Sequence, residues 1–333
     1  MRASARPVLW VAALATAAAL VAQDAAVAQD DAADLFEKIA ASERATYQAR
    51  HLVVYMGEPQ SAAILDVRSS ADGRFVRAEA GTEITRLWRG PGRGLISHKD
   101  SALEDAAPPS VPLEADEVLS KYDVEVGTTV RVLGVDVVPL ALERRKDRAL
   151  VERLWVHAQS GIVYRRELFD AEGGLVGMAT VLDMRWGETE RAERPDVMHR
   201  TVVHSDAPGD APVSLPYGYR FVRSYRLDAD GRPARHWVYS DGLHALSLFR
   251  IDGTMKRPER FVRVTLEGGD AWAGPGPGTW VWEGDGATWA VVAEEAGLDP
   301  AELLEPLPRG GRSVWARMGS WWARGWHAVT DLF

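Results

Sequence analysis

The chain has 333 residues, enough for one large or two ordinary domains, with 46% hydrophobic and 26% charged residues, as in soluble globular proteins. A formal charge of −9 argues against a nucleic-acid partner, which needs a basic field. With no cysteine there is no disulfide, no thiolate chemistry and no lipid attachment through an N-terminal cysteine.

The first residues read as a signal peptide. Arg2 and Arg6 precede the apolar run 8–22 (VLWVAALATAAALVA), and Ala26-Val27-Ala28 has the small-x-small form of a cleavage site. The run is short for a membrane span. Cleavage after residue 28 leaves 37 basic and 47 acidic residues, a net charge of −10, and implies export to a periplasm.

A helix is expected over 31–44, where Leu35, Phe36, Ile39 and Ala40 share one face and Asp34 can cap. Short strands bounded by Gly, Pro or Asp-Gly follow at 47–56, 61–68, 74–78 and 83–88. The acidic, proline-bearing segment 100–121 reads as a surface loop or lid ending in a short helix. Strands resume at 126–133, 137–145, 149–157, 161–169 and 174–186, joined by turn-forming residues that include Gly134, Gly161 and Gly173. One helix and a long meander imply a curved sheet covered by that helix, with an apolar concavity that is either packed core or a lipid-sized pocket.

Residues 187–212 are polar and turn-rich and read as a linker between a first domain, 31–186, and a second, 213–308. The second carries strands near 217–227, 234–240, 243–250, 260–266, 279–283 and 287–293, a loop at 272–278, and a helix at 299–307 capped by Asp299 with Pro300 in its first turn.

Catalytic and metal motifs are weak. His199 and His204 lie five apart with no third ligand nearby, Arg89 to Gly94 lacks the ending of a phosphate loop, and no Gly-x-Ser-x-Gly elbow occurs. The stretch 235–250 (RHWVYSDGLHALSLFR) gathers histidine, aspartate and serine. Alternation nevertheless puts Trp237 and Tyr239 on one face and His236 and Val238 on the other. Asp241-Gly242 reads as a hairpin turn, with Gly242 at positive φ and Asp241 bonding its own backbone. His236, Asp241 and Ser247 are thus expected to be dispersed, with no catalytic residue, cofactor or metal.

Residues 215–219 (LPYGY) and 236–243 (HWVYSDGL) resemble the C-terminal domain of the MucB/RseB family. The run 131–175, with Leu154-Trp155-Val156, Ser160-Gly161 and Arg165-Arg166-Glu167-Leu168, is similar to that family's consecutive strands. The resemblance covers roughly 35–307; segment 58–120 matches weakly, the loop 267–278 is enlarged, and the tail is additional. It implies an α+β protein: a lipoprotein-carrier-like, half-open antiparallel β-barrel with a helical cover, then a smaller C-terminal α/β domain. It also implies a non-enzymatic regulator of an envelope-stress sigma factor. Such a protein binds the periplasmic region of a membrane anti-sigma factor, shields it from proteolysis, and is released by lipid, lipopolysaccharide or lipoprotein. Tyr217, Tyr219, Trp237 and Tyr239 are the expected partner-facing aromatics. A periplasmic lipid or lipoprotein carrier or chaperone is the alternative, and an exported hydrolase the third reading.

In the tail 309–333, Trp315, Met318, Trp322, Trp326, Val329 and Phe333 fall on one helical stripe, and four arginines face one aspartate. An amphipathic helix in contact with membrane or partner is expected, the alternative being packing on its own domain.

Overall fold

The computed structural model describes residues 30–56, 60–71, 73–80, 83–90, 93–98, 101–104, 113–187, 203–229, 232–253, 261–266, 269–274 and 278–308. The expected signal peptide (1–28), residues 188–202 of the linker, and the tail with Trp315, Met318, Trp322, Trp326 and Phe333 lie outside these residues.

The first unit is a twelve-stranded antiparallel sheet: β1 (Tyr47–Tyr55), β2 (Ser61–Ser70), β3 (Gly73–Ala80), β4 (Glu83–Gly90), β5 (Arg93–His98), β6 (Ser101–Glu104), β7 (Tyr122–Val126), β8 (Val130–Val132), β9 (Val135–Arg144), β10 (Leu150–His157), β11 (Val163–Phe169) and β12 (Leu175–Trp186). The order is 6-5-4-3-2-1-12-11-10-9-7, with β8 paired to β9, and no pairing among the described residues joins the two edges. Helix α1 (30–42) and helix α2 (Ala115–Lys121) pack Ala32, Leu35, Phe36, Val118 and Leu119 against Leu140, Leu142, Val151 and Leu154. A second apolar cluster, built on Tyr47, Val67, Tyr164 and Val181, joins the strands at the centre of the sheet.

Three local expectations change. Asp34 lies inside α1 and pairs with Lys38 at 2.6 Å instead of capping the helix. The single strand expected at 126–133 is broken into β7 and β8. A Cβ at Gly127 would lie 2.6 Å from Pro139 Cγ, so this crossing of β9 admits only glycine without a shift. Segment 100–121, expected as a loop before its helix, contains strand β6.

The second unit is an eight-stranded antiparallel sheet: β13 (Val203–Ser205), β14 (Arg220–Ala229), β15 (Arg232–Ser240), β16 (Ala245–Asp252), β17 (Val262–Leu266), β18 (Gly269–Ala273), β19 (Thr279–Gly284) and β20 (Ala287–Ala293), in the order 13-14-15-16-20-19-18-17. β13 falls inside the expected linker, and β18 reaches into the segment read as a loop from residue 272. The expected α/β domain is, among the described residues, an antiparallel sheet with one 3-10 turn (Pro216–Gly218) and helix α3 (Pro300–Leu303). Short hairpin connections leave no room for the crossover helices of parallel strands. Asp299 does cap α3, accepting from Ala301 N at 2.9 Å, with Pro300 at its first position. The core of this unit is a tryptophan stack, with Trp237 and Trp282 each stacked on Trp289 at ring separations of 5.9 and 6.3 Å.

Candidate functional site: an ionic junction between the sheets

The hairpin turn between β15 and β16 docks on the first sheet. Strand β16 starts at Ala245, so Leu243 and His244, expected as strand, belong to the turn. Gly242 adopts φ 99°, and Asp241 Oδ1 accepts from Leu243 N and His244 N at 2.9 and 2.6 Å, the turn chemistry expected of Asp-Gly. A Cβ at Gly242 would lie 2.9 Å from Glu117 Cβ, so glycine also lets the turn approach α2. Glu114 N donates to Gly242 O at 3.3 Å.

Side chains from both sheets close this contact. His244 Nε2 lies 2.8 Å from Glu152 Oε2 of β10, and Glu152 is in turn paired with Arg166 of β11. Tyr122 Oη, at the start of β7, donates to Asp241 Oδ2 at 2.5 Å and lies 3.3 Å from His244 Nδ1. Lys121 uses all three ammonium protons: on Glu117 Oε1 at 3.0 Å, Gly218 O at 2.9 Å and Asp241 O. A second arm runs from Arg144 to Glu295 Oε1 at 2.5 Å, to Gly297 O at 3.4 Å and to Asp147 at 2.7 Å. Glu295 Oε2 accepts from Tyr219 Oη at 3.3 Å. Tyr217, itself at φ 63°, places its ring 4.9 Å from Arg144 Cζ and 4.7 Å from Lys146 Nζ.

His244, Asp241, Glu152 and Glu295 have no exposed surface. Burial opposes the charged form of His244, but the Asp241 and Glu152 carboxylates overcome it and raise its pKa to about 10. Burial would likewise raise Asp241, yet His244 and Tyr122 bring it down to about 2. Arg166 and His244 together outweigh burial at Glu152 and lower its pKa. Glu295 goes the other way: burial wins over its cationic neighbours, and its pKa rises. The cluster is therefore a set of charged pairs sealed between two sheets. Asp241, His244 and Glu295 offer donor atoms within 4.8 Å of one another, the spacing of a metal site. Each is already engaged: Asp241 by Tyr122, His244 by Glu152, and Glu295 by Arg144.

Three of the four aromatics expected to face a partner are placed otherwise, and Tyr217 alone is half-exposed. Tyr219, Trp237 and Tyr239 are fully buried in their own domain. Trp237 Nε1 donates to Pro208 O at 2.7 Å and Tyr239 Oη to Pro212 O at 2.8 Å, fastening the 206–212 segment over the tryptophan core. Two of the four, Tyr217 and Tyr219, serve the junction. The expected dispersal of His236, Asp241 and Ser247 holds for Asp241 alone. His236 Nε2 lies 3.0 Å from Ser247 Oγ, because diagonal neighbours on β15 and β16 share a face. Among the described residues no carboxylate joins that pair: His236 is buried and stacked between Phe249 and Tyr225 at 4.2 and 5.4 Å, and burial lowers its pKa to about 3.

No family model and no curated protein matches the chain. Solved structures do. The complex of Pseudomonas aeruginosa MucA and MucB aligns with a TM-score of 0.55 at 19% identity, covering 84% of this chain and all of that one. MucB with the periplasmic part of MucA gives 0.52 at 19%, with the same coverage. MucB alone gives 0.56 at 18%, covering 84% of this chain and 96% of that one. The chain, mostly β-sheet with few helices, thus has the fold of MucB.

Proposed function

We propose that the chain is a non-enzymatic periplasmic regulator of an envelope-stress sigma factor, which binds the periplasmic region of a membrane anti-sigma factor. One observation carries this reading: the fold spans whole MucB chains, including those in structures of MucB with MucA. The junction supports it, since a sealed ionic contact holds both sheets in one arrangement against which a peptide can dock. The signal is a lipid, lipopolysaccharide or lipoprotein, received by the first sheet acting as a half-open barrel. Of the four aromatics, Tyr217 is the one with surface left for direct partner contact. The exported chain, its signal peptide removed, carries a tail that contacts membrane or partner.

The test is binding of the purified mature chain to the periplasmic peptide of the anti-sigma factor encoded in the same genome. Saturable binding that protects the peptide from proteolysis supports the reading. Absence of binding, with stoichiometric transfer of lipoprotein between membranes, would overturn it in favour of the carrier. For the tail, a chain ending at Gly311 should co-sediment less with membranes; unchanged co-sedimentation removes that assignment.

A further inference from the structure

Away from the junction, the second sheet carries another concentration of charge. Pairing sets Arg226 of β14 opposite Arg235 of β15, and Arg235 opposite Arg250 of β16. Directly opposed residues point to the same face, so three guanidinium side chains stand in a row at strand spacings of about 5 Å. The row ends at Trp289 of β20, which is paired with Arg250 and lies 6.0 Å from its Cζ. The arginines, with Pro233, Ala234 and Asp252, line a cavity of about 330 Å³.

Like charges placed directly opposite across strands are destabilising. Only part of this charge is neutralised: Asp210 meets Arg235 at 2.6 Å and Asp252 meets Arg250 at 3.1 Å. Arg226 is exposed and has no carboxylate partner among the described residues. A chain of net charge −9 thus keeps a local excess of positive charge on three adjacent strands. All three are arginine, whose planar fork suits oxyanions better than the ammonium of lysine.

We propose that this row is a binding site for a phosphate group, held as the dianion across Arg226, Arg235 and Arg250. A tetrahedral dianion presents enough acceptor oxygens to engage several guanidinium forks at once, whereas a single carboxylate satisfies one. The cavity, on the order of ten water volumes, also leaves room for the group that bears the phosphate. Two sources share this chemistry: free phosphate and the phosphomonoester headgroup of a lipid.

The experiment titrates the full mature chain with inorganic phosphate by calorimetry at low ionic strength, then repeats it with Arg226→Ala and Arg250→Ala. Saturable binding is expected, weakened about tenfold or more in each variant because a charge-assisted fork is lost. Flotation with phosphatidic acid vesicles, against phosphatidylcholine alone, separates the sources. Capture by phosphatidic acid that is lost in Arg226→Ala assigns a headgroup; phosphate binding without capture assigns the free ion. Circular dichroism of Arg226→Ala should be unchanged, since its side chain is exposed. The proposal is overturned by no binding of either probe, by binding as strong in both variants as in the parent, or by binding of polyglutamate alone, which would make the ligand an acidic polypeptide.

Discussion

His236 and His244 sit on one hairpin, both without exposed surface, yet their surroundings push their pKa values in opposite directions. His236 faces aromatic rings and a serine, and burial lowers its pKa to about 3. His244 faces two carboxylates, which overcome the same burial and raise its pKa to about 10. The difference is one of neighbours across space. The strand residue packs within its own sheet, and the turn residue is completed by the other sheet. A buried ionisable group joins two units when its counter-charges lie on the far side, and is internal filler when they do not.

The largest effect should follow from breaking the charge that spans the sheets. Glu152→Gln leaves His244 and Arg166 without their shared carboxylate, and removing one partner of a buried pair costs about 3–5 kcal/mol. A urea midpoint lowered accordingly would support the junction; an unchanged midpoint would refute it. The matching change on the other side, His236→Phe with Ser247→Ala, removes both partners of a neutral pair and should stay within about 1.5 kcal/mol of the parent.

The two histidines should also separate in pH. His244 has its folded pKa raised from 6.5, so its contribution is complete below pH 6.5 and is lost as the pH climbs through about 10. His236 has its folded pKa lowered, so its contribution is complete above pH 6.5 and is lost on the way down to about 3. Asp241, depressed from 3.8 to about 2, adds a loss below pH 3.8, and His51, lowered to about 4 by burial and Arg74, adds to the acid limb. In urea titrations across pH, His244→Phe should flatten the alkaline limb and His236→Phe the upper part of the acid limb. Any other pairing of variant and limb contradicts the charge assignment.

Gly242→Ala probes the same contact through shape. The new Cβ would lie 2.9 Å from Glu117 Cβ, at a backbone φ of 99° that L-residues avoid. A cost of about 1–2 kcal/mol is expected from the backbone conformation. The contact with α2 adds to this backbone cost, and the companion change Glu117→Ala, which removes the Cγ at 3.0 Å but keeps the Cβ, should recover only a part of that added cost, read from the same unfolding midpoints.

The contrast between the histidines also marks where sequence reasoning stops. Alternation and turn glycines placed β9 to β12 within about two residues, because both signals are local. The Asp-Gly turn and the Asp299 cap were legible for the same reason. The junction was not, because Glu152 and His244 are 92 positions apart and no short window holds both. One trace existed: Glu152 interrupts the apolar run of β10 at a fully buried position, where a charge requires a partner. The aromatics failed differently. Trp237 and Tyr239 were correctly set on one face, but alternation does not say whether a face meets solvent or core, and here a segment from 206 to 212 covers it.

The smallest effect closes the comparison by separating charge from burial. Asp34 and Lys38 of α1 form an ion pair at 2.6 Å, as short as contacts in the junction, but with side chains 63% and 39% exposed. Water screens such a pair, and helical pairs of this spacing contribute about 0.3–0.5 kcal/mol. Lys38→Ala should therefore shift the unfolding midpoint by a small fraction of the Glu152→Gln shift, and that shift should shrink further at high salt while the junction's persists. Equal shifts in the two variants would mean that the enclosure of the junction, and not merely its charge, had been misjudged. The asymmetry expected here follows chiefly from solvent, since both contacts join a carboxylate to a cation at nearly the same distance.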